Sequence, residues 1–207
     1  MNKTKFISFT ASLVLATTFT LSCDSKEKFT DSRDGKKYKT VTIDTQIWMA
    51  ENLNFAAEGS KCYDNNPDNC AKYGRLYDWE TAKKSCPDGW HLPSNDEYNV
   101  LYNTVGGDDV AGKKLRARSG WNENNGKPGN GTDDFGFSAL PGGYGISGGN
   151  FYNVGDFGYW WIASENVSGI AYYRSMNDNN GYADWSYYDK SFLFSVRCVQ
   201  TAEEFEK

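Results

Sequence analysis

The chain has 207 residues, a formal charge of −5, 16 % aromatic residues and 21 glycines. That length fits one domain, and the acidic balance excludes a nucleic-acid partner held by a basic face. Five cysteines, one histidine and no Cys-x-x-Cys pair also argue against a zinc site.

In chain order, residues 1–22 read as an export signal. Lys3 and Lys5 form a basic start, and Phe6 to Leu21 is an uncharged, mostly apolar run. It is shorter than the roughly 20 residues of a membrane span but suits a signal-peptide core. Ser22-Cys23 at its end resembles a bacterial lipoprotein signal, which implies a diacylated Cys23 as the mature N-terminus. Leu21 stands one place later than that pattern prefers, and an ordinary secretory signal cleaved nearby is the alternative. Loss of Lys3 and Lys5 takes the charge from −5 to about −7. Residues 23–30 read as a polar tether. In an oxidising compartment Cys62, Cys70, Cys86 and Cys198 form an even set with three possible pairings.

Tyr38, Val41, Ile43 and Ile47 alternate as an opening strand or hairpin, with Asp34-Gly35 as a turn. Cys62 and Cys70 bracket a polar loop. Trp79, Ala82 and Cys86 share one face of a helix, and Pro87-Asp88-Gly89 turns the chain. Ser94 and Glu97 form a capping box that opens a second helix carrying Tyr98, Leu101, Tyr102 and Val105 on one side. Gly106-Gly107 stops it. Lys113-Lys114-Leu115-Arg116-Ala117-Arg118 reads as one solvated face. From Gly120 onward helical periodicity is absent, and short aromatic runs alternate with Gly, Asn and Asp, as short strands joined by long turns would.

A helix bearing Cys86, the link Gly89-Trp90-His91-Leu92, a second capped helix and a late strand Phe194 to Val199 resemble the C-type lectin-like fold. That resemblance implies an α+β domain of two helices, short antiparallel strands and long loops. It also implies a disulfide from the first helix to the last strand, and so favours Cys86–Cys198 together with Cys62–Cys70. Longer motifs resemble one family. These are Trp48-Met49-Ala50-Glu51-Asn52-Leu53, Gly74-Arg75-Leu76-Tyr77-Asp78-Trp79 and Cys86-Pro87-Asp88-Gly89-Trp90-His91-Leu92-Pro93-Ser94. Then come Gly131-Thr132-Asp133 with Phe135 to Gly143, Gly158-Tyr159-Trp160-Trp161 and Ser195-Val196-Arg197-Cys198-Val199. Together they look like the Fibrobacter succinogenes major paralogous domain over residues 31–200, leaving 201–207 as a tail. The sequence departs from it at Ile162-Ala163-Ser164-Glu165, where serines tend to follow the paired Trp. The resemblance implies an exported bacterial lipoprotein on the outer membrane, at its periplasmic or surface face, and supplies no active site.

The candidate chemistry is sparse. His91, between Trp90 and Leu92, reads as a packed ring rather than a general base. Asp108-Asp109 and Asp133-Asp134 read as turn formers and N-caps. Formylglycine-generating relatives of the fold use reactive thiols, and the expected disulfides leave none evident. Asn177 and Asp178, in an oxygen-rich loop, are the candidate calcium ligands, with a polar turn as the plain alternative. The late rings Tyr172, Tyr173, Trp185, Tyr187 and Tyr188 complete the candidate ligand-binding set. One ring of each adjacent pair is expected to point inward and the other outward. The sequence therefore reads as a lipid-anchored, non-catalytic module for an extracellular glycan or protein, with no nucleic acid and no cofactor beyond calcium. The alternatives are an enzyme of formylglycine-generating type and a structural envelope protein without a small ligand.

Overall fold

The computed structural model describes residues 27–201; the signal, Cys23 and the first half of the tether lie outside the described residues. Lys28–Thr30, read as the end of the tether, is instead strand β1 and pairs with β2 (Lys37–Ile43). A two-residue turn joins β2 to β3 (Gln46–Met49), and Asp44 there takes φ 55°, a left-handed conformation that Asp tolerates.

Four α-helices follow: α1 (Pro67–Tyr73), then, after the two-residue strand β4 (Leu76–Tyr77), α2 (Trp79–Ser85), α3 (Asn95–Val105) and α4 (Asp108–Leu115). The Ser94–Glu97 capping box is formed in full, and Gly106 closes α3 at φ 112°. After the small hairpin β5 (Glu123–Asn124) and β6 (Lys127–Pro128) come β7 (Gly142–Gly145), β8 (Phe151–Val154), β9 (Phe157–Val167), β10 (Ile170–Asn177) and β11 (Ala183–Asp189). The described residues end in β12 (Phe194–Ser195) and β13 (Val199–Thr201). Strand β13 closes the first sheet, in the order β1-β2-β3-β13, while β11-β10-β9-β12-β4, with β7 and β8 alongside, make the second.

This overturns the expected α+β, C-type lectin-like architecture with two helices. The described residues are mostly β, with 36 % in strands against 21 % in helices, and a C-type lectin-like fold is not shown. The reason is local. The late aromatic stretch folds into long antiparallel strands of 11, 8 and 7 residues rather than short ones. The two unforeseen helices, α1 and α4, bury only one apolar pair each (Cys70 and Tyr73, Ala111 and Leu115), against the three positions Trp79, Ala82 and Cys86 that mark α2. Helix α4 also removes the solvated basic face, because Leu115 and Arg116 are buried and only Lys113 and Arg118 of the run are exposed. Its Gly112 lets it approach β11, since a Cβ there would collide with the Tyr182 carbonyl.

The second sheet is buried on both faces along the first half of β9. Adjacent Trp160 and Trp161 are 1 % and 0 % exposed and enter two different cores. On one side Trp160, Ile162 and Met176 pack with Tyr98, Leu101 and Tyr102 of α3; on the other, Trp161 and Phe194 pack with Tyr77 and Trp79. Each indole removes ~150–250 Å² from water, on the order of 4–6 kcal/mol.

A buried polar hub joins the two sheets. Asn52 Oδ1 accepts from Trp160 Nε1 at 2.9 Å and from Arg197 Nε and Nη2 at 3.1 and 2.7 Å, while Asn52 Nδ2 donates to the Tyr73 carbonyl at 2.8 Å. Arg197 Nη1 donates to the carbonyls of Met49 and Phe137 at 3.1 and 2.6 Å. Burial pushes the Arg197 guanidinium down to about 10, which still leaves it charged at neutral pH. Two disulfides complete the frame. Cys62–Cys70 ties the turn before α1 to that helix, and Cys86–Cys198 ties the end of α2 to the segment before β13. Among the described residues no helix is long and apolar enough to cross a membrane.

Candidate ligand-binding site

Strand alternation on β10 sets the site. Tyr172 and Arg174, two residues apart, face the side covered by α3, whereas Tyr173 faces the opposite core against Trp161, Tyr159 and Phe194. Across the ladder to β11, Trp185 stands opposite Arg174 and Tyr187 opposite Tyr172. The Tyr172 ring lies edge-on to Trp185 at 5.8 Å and to Tyr187 at 6.0 Å, and its hydroxyl donates to Asn166 Oδ1 at 3.0 Å. Three rings therefore share one face at the free edge of the sheet.

Helix α3 supplies the opposite wall. Its first residue is tied to β9, Asn95 N donating to Ser164 Oγ at 3.2 Å. Asn95 and Asn99, one turn apart, both turn toward Arg174, whose Nη2 donates to their Oδ1 atoms at 2.7 Å each. Beyond α3 the cover stops, and a cavity of about 370 Å³ opens, lined by Asn95, Asn99, Ser164, Tyr172, Arg174 and Trp185, with Asp108 of α4.

The electrostatics of this cavity are one-sided. Arg174 is 1 % exposed, and no carboxylate lies within ion-pair distance among the described residues. Its guanidinium lies 5.7 and 5.1 Å from the ring centres of Tyr98 and Tyr102, which attract it through their faces. Burial pushes both phenols well above the usual tyrosine range, so they stay neutral and cannot offset the charge. The Nε of Arg174 has no hydrogen-bond partner within the protein.

Of the residues expected from sequence, Tyr172 and Trp185 line the cavity and Tyr187 borders it; Trp185 and Tyr187 are 56 % and 50 % exposed. Tyr188 is also exposed but sits on the other face, its ring 4.1 Å from Phe192. Asn177, the last residue of β10, and Asp178, which follows it, are buried. Asn177 Oδ1 accepts the backbone amides of Asn179 and Asn180, and the Asp178 carboxylate accepts from Asn124. Neither residue lines the cavity. Nor does His91, whose Nε2 lies 2.6 Å from Glu97 Oε1.

Sequence reasoning missed Arg174, Asn95, Asn99 and Ser164. The signal for Arg174 was its place two residues after Tyr172 on a strand, which puts both on one face. A larger cavity of about 590 Å³ lies beside Ile146–Gly149, but its Lys190 is already paired with Glu165 and Glu80.

The sequence matches the family model described as Fibrobacter succinogenes major domain over residues 41–200. No curated protein and no solved structure matches it.

Proposed function

The chain belongs to the Fibrobacter succinogenes major domain family, and we propose that it is an exported, lipid-anchored, non-catalytic module that binds an extracellular glycan or protein in the cavity at Arg174. One observation carries this reading. Tyr172, Trp185 and Tyr187 gather on one open face beside a buried, unpaired cation, an arrangement that a core residue would not need. Rings held on a rigid sheet offer large contact area with little entropy left to lose on binding. The two disulfides support an oxidising compartment, and the signal with Cys23 supports a lipid anchor.

Glycan and protein arrays with the wild type and Trp185→Ala test the binding. The variant should lose at least tenfold in affinity, with a melting temperature within a few degrees of wild type because the indole is half exposed. Ligand capture indifferent to Trp185 would refute this site. Mass spectrometry of the mature N-terminus decides the anchor, and an unmodified terminus away from Cys23 would rule it out.

A further inference from the structure

We propose that the cavity selects a saccharide bearing a carboxylate, such as a uronic acid, with Arg174 anchoring the carboxylate and Trp185 and Tyr172 lying against the sugar. The inference rests on the binding-module reading and narrows it to one ligand class.

Arginine only donates, so the amides beside it must present their oxygens to it, as Asn95 and Asn99 do. Each amide then has its NH₂ group directed away from Arg174, and neither NH₂ makes a hydrogen bond within the protein. The wall is thus donor-rich: two amide NH₂ groups, the Ser164 hydroxyl and the Arg174 guanidinium, against one carboxylate, Asp108. Such a wall matches an acceptor-rich, negatively charged group.

Charge supports the same conclusion. A cation taken out of water without a counter-ion is costly, and two neutral amide oxygens offset only part of that cost. A carboxylate matches the planar fork of a guanidinium and supplies the missing charge. The chain as a whole is acidic, at −5, so it gathers no anions by long-range attraction. Recognition rests on Arg174 itself, and one cation with Asp108 on the rim suits a ligand of a single negative charge per sugar rather than a polyphosphate.

Sugar is favoured over peptide by the other wall. Trp185 and Tyr172 present aromatic surface and a half-open mouth rather than an apolar slot for a side chain. At about 370 Å³ the cavity lies near the lower end of the ~300–1,000 Å³ range of small-ligand clefts.

Titration calorimetry of the mature protein tests this, with trigalacturonate and sialyllactose as probes, each beside its carboxyl methyl ester. At least one acid should bind tenfold or more tightly than its ester. Asn99→Asp places a carboxylate against Arg174 and should erase that preference while keeping the fold. Trp185→Ala should weaken acid and ester alike. Equal binding of acid and ester, a preference that survives Asn99→Asp, or tighter binding of an acidic peptide would overturn the inference and leave the binding module standing. No binding to any probe would overturn it too. If array capture is also indifferent to Trp185, the broader reading falls with it.

Discussion

Asn52→Ala should be among the most damaging single substitutions in this protein, although it removes no hydrophobic surface. The deletion strands three buried donors at once: Trp160 Nε1, Arg197 Nε and Arg197 Nη2. It also frees the Tyr73 carbonyl from its 2.8 Å bond. An unsatisfied buried donor costs about 1–3 kcal/mol, with charged groups at the upper end, so the expected loss is about 4–6 kcal/mol. For a domain of this size that lowers the melting temperature by about 10–20 °C. Urea unfolding followed by tryptophan fluorescence reads the loss directly, because Trp160 is itself a hub member. Ser195→Ala, which touches Asn52 only through a 3.3 Å bond, is the control and should cost about 1 kcal/mol or less. Adding Arg197→Met to Asn52→Ala should recover about 1–2 kcal/mol by removing the stranded charge. A loss under about 1.5 kcal/mol for Asn52→Ala, or no recovery in the double variant, would refute the view that this hub holds the two sheets together.

Cys86→Ser should destabilise by about 2 kcal/mol more than Cys62→Ser, since the two bridges span 112 and 8 residues and loop entropy grows with the logarithm of length. Chemical denaturation of the two variants checks this, and the reverse order would count against loop entropy as the dominant effect. Glu97 gives a pH signature. Burial acts to raise its carboxyl, but hydrogen bonds from His91 and Ser94 outweigh it and hold the group below its ordinary 4.5. A lowered folded value contributes stability above the unfolded value and loses it as pH falls through the folded one. Glu97→Gln should therefore cost about 1 kcal/mol at pH 7, with the gap to wild type closing below pH about 4.5. A gap constant from pH 7 to 3 would exclude this role.

Local signals in the sequence were legible where one residue type has one physical meaning. Ser94 and Glu97 opened α3, Gly106 closed it, and Asp78 to Cys86 marked α2. Helix α1 carried its own mark in Asn66-Pro67-Asp68, a cap followed by proline and an acid, yet it reads as a loop because its buried face holds only Cys70 and Tyr73. Trp160-Trp161 shows where alternation misleads. A strand with one wet face buries one of an adjacent pair, but β9 is covered on both sides and buries both. At the free edge the opposite happens, and Tyr187 and Tyr188 are both exposed. Arg174 and Arg197 were hidden for another reason. A charged residue is ordinarily a surface residue, and the hydrogen-bond partners of these two lie 60 to 148 residues away, out of reach of any periodicity.

The division between hub and cavity bears on what membership of the family conveys. Trp48 to Leu53, Phe135 to Gly143, Gly158 to Trp161 and Ser195 to Val199 are stretches by which the sequence resembles it. They supply Met49, Asn52, Phe137, Trp160 and Arg197 of the buried hub, whose remaining member is the Tyr73 carbonyl. The cavity draws on Asn95, Asn99, Ser164, Tyr172, Arg174 and Trp185, all outside those stretches. Substitution at the hub strands buried donors and costs the fold several kcal/mol, whereas Trp185 at the sheet edge can change at little cost. The resembling stretches therefore supply most of the buried hub, and the proposed ligand site draws on residues outside them. Arg174 lies between the two cases: α3 and β10 bury it as the hub buries Arg197, but its Nε has no protein acceptor and, unlike Arg197, it lines an open cavity.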